Sequence, residues 1–186
     1  MTSMNWHIRE AIRHLAAGGV IAYPTDSVYG LGCNPLDATA VLHLLALKQR
    51  SSAHGVILIG SELGQFAPFL QPLSSTTVNR IQRTDGAPVT WVLPCRTDTP
   101  AWLTGQHDTL AVRVTNHPVA ATLCEAWGGA LVSTSANIHG RRPATSPLGV
   151  HKAFNARLDY ILHGPAGATN RPSTIRDGLT GEVLRH

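Results

Sequence analysis

Between Gly55 and Gly60 the chain runs Val56, Ile57, Leu58, Ile59, four apolar side chains in succession. Successive side chains of a strand point to opposite faces, so an unbroken apolar run needs packing on both sides of its sheet. Helices laid on both faces meet that need, and the rest of the sequence supplies them. Strands are predicted at Val20 to Tyr23, Val89 to Leu93, Leu110 to Val114, Ala130 to Ser133, Tyr160 to Leu162, Ser173 to Ile175 and Val183 to Leu184. Helical patterns alternate with them unevenly, at Leu63 to Leu70, Thr76 to Arg83, Pro118 to Trp127 and Leu148 to Phe154. The reading is an α/β domain with a twisted, mixed sheet flanked by helices. At 186 residues, without repeat or linker, residues 1–186 are expected to form one domain.

Two further helices have legible ends. Ile8, Ile12 and Leu15 recur at helical spacing before Gly18-Gly19, the pattern of an amphipathic helix closed by a left-handed cap. Asp37 can cap a helix in which Val41, Leu44, Leu45 and Lys48 share one side, which sets Lys48 in the last turn. From Pro24 to Asn34, hydroxyls, Asp26 and glycines mix, and the segment reads as an irregular loop against the sheet edge.

Hydrophobic residues make up 43% of the chain and charged residues 14%, which excludes a disordered, solvating polymer. Fifteen Lys and Arg against eleven Asp and Glu give a net charge of +4. So few charges suit a basic concave site better than a basic coat, and the sign favours anionic partners. Cys33, Cys95 and Cys124 lie far apart and are odd in number, as expected in a reducing compartment. The segment Met1 to His14 lacks an apolar signal region, and no apolar stretch approaches the roughly 20 residues a bilayer requires. A cytoplasmic protein without membrane attachment is expected.

Several chemistries are excluded by motif. Gly30-Leu31-Gly32 follows a strand but lacks the third glycine of a dinucleotide fingerprint, and no phosphate-binding P-loop occurs. Histidines and cysteines do not cluster at zinc spacing, so no resident metal site is expected. Ser133-Thr134-Ser135 lacks the glycines of a nucleophile elbow. Four segments remain that gather hydroxyls and cations where strands or helices end: Tyr23 to Gly32, Lys48-Gln49-Arg50, Ala111 to Val114, and Leu131 to Asn137. Singly, each has a bland explanation as a turn, a solvated helix end or a half-exposed strand arginine.

Together and in this order, with Trp102-Leu103-Thr104-Gly105 and Pro172-Ser173-Thr174-Ile175-Arg176-Asp177, they resemble the YrdC-like family. The resemblance is to its short, TsaC-type threonylcarbamoyl-AMP synthases and runs from about Ile12 to Arg185. It implies a YrdC-like domain that converts L-threonine, bicarbonate and ATP to threonylcarbamoyl-AMP and pyrophosphate. That product would serve threonylcarbamoyl-transferase proteins in modifying tRNA. On this resemblance Lys48 and Arg50 are the catalytic pair, contacting the triphosphate as the K-x-R motif. Ser135 and Asn137 are the S-x-N motif at the phosphates, and Thr109 and Arg185 add to the ATP site. Arg113 holds the threonine carboxylate, with Thr25, Ser133 and Ser173 as hydroxyl contacts. Such groups suit anionic and zwitterionic substrates, which call for cations and neutral donors before any acid or base. Magnesium is expected with ATP, ligated mainly by phosphates and water.

The chain departs from the family at Asp26, where Glu is frequent, at Ser51, where proline is common, and at Thr84 to Ala87. The second domain of longer members is not expected here. A competing reading is a non-catalytic RNA-binding module, carried by a pI near 9.3 and by Arg141, Arg142, Lys152, Arg157 and Arg171. Only 5% of residues are aromatic and no stacking motif occurs, so such a module would contact RNA through phosphates and shape.

Overall fold

The apolar run at 56–59 lies in the middle of the sheet. The computed structural model describes residues 3–83, 88–167 and 173–185. In chain order its elements are α1 (Ser3–Ala16), β1 (Ile21–Pro24), β2 (Tyr29–Gly32), α2 (Ala38–Lys48), β3 (Ile57–Gly60), α3 (Ser75–Gln82) and β4 (Val89–Pro94). There follow α4 (Ala101–Thr104), β5 (Thr109–Val114), α5 (Pro118–Trp127), β6 (Leu131–Ser135), α6 (Pro147–Phe154), β7 (Tyr160–Ile161), β8 (Thr174–Asp177) and β9 (Val183–Arg185). The strands form one mixed sheet in the order β7-β1-β2-β6-β3-β5-β4-β8-β9. Strand β3 runs parallel to β5 and antiparallel to β6, so both its edges are paired.

Its side chains divide between two cores, as the run requires. Leu58 joins the larger cluster with Val41, Leu44 and Leu45 of α2, Ile81 of α3, Leu103 of α4, and Val150 and Phe154 of α6. Ile59, on the other face, packs with Ile8, Ala11 and Leu15 of α1 and with Val119, Ala120 and Leu123 of α5. Four helices thus serve one face and two serve the other.

The helix caps are those read from sequence. Asp37 accepts from the Ala40 amide at 3.0 Å at the start of α2. After α1, Gly18 takes φ +80°, the left-handed conformation a glycine tolerates best.

Two expectations need correction. The segment from Pro24 to Asn34 is not wholly irregular: Tyr29–Gly32 is a fully buried strand between β1 and β6. Its Tyr-Gly-Leu-Gly sequence carries no alternating pattern because two positions lack side chains, yet its backbone is paired on both sides. The helix expected from Leu63 to Leu70 is a 3-10 turn at Leu63–Phe66, and Pro68 lacks the amide needed to carry a helix on.

Candidate functional site

The site follows from the uneven helix cover. On the face served by α1 and α5, Tyr23, Leu131 and Ile59 enter the smaller core. Two residues along β6 and β3, on that same face, stand Ser133 and Ile57, paired with each other, and Arg113 lies opposite Ile59 on β5. Ser133 and Ile57 stand outside the smaller core and floor a cleft of about 370 Å³. At Gly30 the sheet has no side chain to fill the space. A Cβ there would come to 3.1 Å from Thr25 Cγ2 and 3.5 Å from Ser133 Oγ.

Arg50, Arg113 and Arg185 converge on this cleft, and among the described residues no carboxylate lines it. Arg50 donates to the Gly55 carbonyl at 3.2 Å, while its Nε and that of Arg113 are buried without a hydrogen-bond partner. Burial, and after it the neighbouring charge of Arg185, pulls the Arg50 guanidinium below the ordinary arginine value. Ion pairs form elsewhere, as between Arg13 and Glu10 and between Arg96 and Asp98, and among the described residues none joins an acid to Arg113.

Hydroxyls complete the lining. Thr25, Ser27, Ser133 and Ser173 are buried residues of this lining. Thr25 Oγ1 donates to the Val28 carbonyl at 2.8 Å, which leaves its lone pairs to accept from a ligand. Ser173 and Thr90 share a hydrogen bond of 2.8 Å. Tyr29 donates to the Gly164 carbonyl at 2.5 Å and accepts from the Gly164 amide at 3.1 Å, holding that segment beside the cleft.

Lys48 lies behind the lining, only 3% exposed. Its Nζ donates to the Ser135 carbonyl, to the Asn137 carbonyl at 2.9 Å and to Asn137 Oδ1 at 3.2 Å. Desolvation, and next the charge of Arg50, lowers its pKa to about 8. Asn137 is engaged throughout: Oδ1 accepts from Ser135 Oγ at 2.6 Å, and Nδ2 donates to the carbonyls of Ile138 and Arg141 at 3.0 and 2.8 Å.

Residues 13–186 match the Sua5_yciO_yrdC family, described as telomere recombination. The chain belongs to the Sua5/YciO/YrdC family. Curated relatives of this family named threonylcarbamoyl-AMP synthase include those of Nitrosococcus oceani, 52% identical over all of both chains, and Halorhodospira halophila, 52% identical over 97% of this chain and 94% of that one. Among solved family structures, P. abyssi Sua5 complexed with L-threonine is 31% identical, with a TM-score of 0.86 over 92% of this chain and 51% of its own. E. coli YciO superposes with a TM-score of 0.85 at 25% identity over 100% of this chain and 91% of that one. The chain spans about half the length of the P. abyssi Sua5 structures it matches.

Of the residues drawn from the resemblance to the family, the cleft brings together Thr25, Arg50, Arg113, Ser133, Ser135, Ser173 and Arg185. Lys48 and Asn137 do not line it; nor does Thr109, which shares the face of Arg113 four residues back along β5. Ile57 and Pro143 line the cleft without having been readable from sequence as site residues. Ile57 sits in an apolar run that signals only core, and Pro143 reaches the rim through the turn after β6. Asp26 lines a separate cavity of about 290 Å³ and accepts from Thr115 Oγ1 at 3.2 Å. Thr84 to Ala87, Pro172 and Arg171 lie outside the described residues. Among the described residues, no helix is long and apolar enough to cross a membrane.

Proposed function

We propose that this chain is an ATP-dependent threonylcarbamoyl-AMP synthase, a nucleotidyltransferase using L-threonine, bicarbonate and ATP. The observation that carries the reading is the cleft itself: among the described residues it is lined by three arginines and a ring of hydroxyls, with no carboxylate. Such a lining suits a triphosphate and a carboxylate held side by side. The names of the full-length relatives and the threonine bound to P. abyssi Sua5 support the same substrates over a purely RNA-binding role.

The chemistry assigns roles by position. Arg113, without an acid partner, forks the threonine carboxylate, and Thr25 accepts from the threonine hydroxyl or amine. The amine nitrogen bonds to the bicarbonate carbon with loss of water, giving a carbamate. A carbamate oxygen then attacks the α-phosphorus while the bond to the β-phosphate oxygen breaks and pyrophosphate departs. Arg50 and Arg185, which line the same cleft, would take up the charge that moves onto pyrophosphate. Among the described residues the lining offers a divalent cation no carboxylate, imidazole or thiolate, so magnesium would arrive with ATP and keep phosphate and water ligands. The adenylate would pass to transferase proteins that modify tRNA.

The test is to incubate the protein with ATP, magnesium, threonine and bicarbonate, following the adenylate by mass spectrometry and pyrophosphate by a coupled assay. Both products should require threonine and bicarbonate together. Equal pyrophosphate release without threonine overturns the proposal.

A further inference from the structure

Lys48 belongs to a motif that the resemblance places on the triphosphate, yet its ammonium is turned toward three oxygens of the turn that ends β6. An ammonium has three protons to give. All three acceptors belong to Ser135 and Asn137, and the main chain adds a tie, since the His139 amide donates to the Lys48 carbonyl at 2.9 Å. Side chain and backbone of one residue thus grip both ends of the 135–139 segment.

The hydrogen-bond inventory shows what that grip allows. Ser135 lines the cleft, but its hydroxyl proton goes to Asn137 Oδ1. Turning that proton out to a ligand would strip Oδ1 of a donor, which is costly for a half-buried amide oxygen. Lys48 already donates to the same Oδ1 at 3.2 Å, so the oxygen stays satisfied when Ser135 swings away. The Asn137 amide nitrogen, fixed on the carbonyls of Ile138 and Arg141, keeps Oδ1 from following.

We propose that Lys48 is a positioning residue: it holds the Ser135–Asn137 turn and frees the Ser135 hydroxyl to donate to an anion in the cleft, instead of touching the phosphates itself. This rests on the reading of the cleft as the ATP site. Lys48 then acts on ATP through Ser135, and removing either residue should do much the same damage. Arginine cannot replace it, because a planar fork does not fit a buried pocket built around a point charge.

The test is a double-mutant cycle on ATP and threonine affinity by calorimetry, with Lys48→Met, Ser135→Ala, the double variant and Lys48→Arg, each checked by melting temperature. Lys48→Met should weaken ATP by about tenfold, the scale of one lost hydrogen bond to a charged group, and leave threonine affinity unchanged. In the Ser135→Ala background the same change should add less than about twofold, because interacting residues are not additive. Lys48→Arg should be nearly as weak as Lys48→Met. Full additivity, or wild-type ATP affinity in Lys48→Arg, overturns the proposal in favour of direct phosphate contact. If the Lys48 variants fail to fold, nitrogen-15 NMR of the unaltered protein decides. Without nucleotide it should show a lysine ammonium protected from exchange and unmoved by ATP; an ammonium protected only when ATP is present overturns the proposal. Failure of the unaltered protein to bind ATP at all overturns the site reading itself, an outcome separate from either result of the cycle.

Discussion

At the scale of single residues, Arg113 separates charge from geometry. It is a strand arginine with no acid beside it among the described residues and a buried, unpartnered Nε. If it forks a carboxylate, Arg113→Lys keeps the charge and loses the planar pairing, so threonine affinity should fall by about tenfold or more, nearly as far as in Arg113→Ala. Titration with threonine checks this, and an unchanged melting temperature excludes a fault in folding. Lys48 makes a different prediction, about pH. Its pKa is lowered to about 8 in the folded protein from 10.5, so between these values the unfolded chain binds more protons and stability rises with pH. The cost of burying the charge is present in full below about pH 8 and disappears as the pH passes above 10.5. Urea unfolding of the unaltered protein and Lys48→Met, compared from pH 7 to 11, should show the difference between them shift in favour of the lysine across that window.

Among the elements, β2 and β3 carry opposite lessons. Leu58 on β3 is wholly buried, and Leu58→Ala should cost about 2–5 kcal/mol in urea unfolding, as large-to-small core changes do. Gly30 on β2 is also buried, but it clears space for the cleft. Alanine there improves strand propensity while crowding Thr25 and Ser133, so Gly30→Ala should hold its stability within about 1 kcal/mol and lose threonine affinity. Calorimetry alongside thermal melting checks both halves. The same contrast explains what the sequence makes legible. Val56 to Ile59 announce a doubly covered strand because four side chains state it, and Asp37 announces a helix start because capping is local chemistry. Strand β2 stays hidden because its evidence is the pairing of its backbone with β1 and β6, which are distant in sequence from one another. The site divides in the same way. The resemblance of whole motifs to the family suggests Arg50 and Arg113, whereas the inward turn of Lys48 depends on where Ser135 and Asn137 come to lie, 87 and 89 residues away.

For the whole molecule, the gathering of Arg50, Arg113 and Arg185 with no acid among the described lining residues has a thermodynamic consequence. Like charges brought together by folding repel: burial lowers the Arg50 value first, and the neighbouring charge of Arg185 lowers it further. The empty protein therefore carries an unrelieved strain of charge that its sheet and two cores must outweigh. On the proposed function, a polyanion entering the cleft would both gain contacts and discharge that strain, so that ligand would act as the last component of the fold. At a hundredfold excess over Kd, ATP or pyrophosphate should raise stability by about 2.7 kcal/mol, a rise in Tm of about 5–10 °C. The rise should shrink with added salt, which screens the repulsion beforehand. Arg185→Ala, by contrast, should melt no lower than the unaltered protein when empty and lag behind it only once nucleotide is present. A chain of this kind would be most exposed to unfolding and proteolysis when its nucleotide runs short, which ties its lifetime in solution to the supply of the anion it holds.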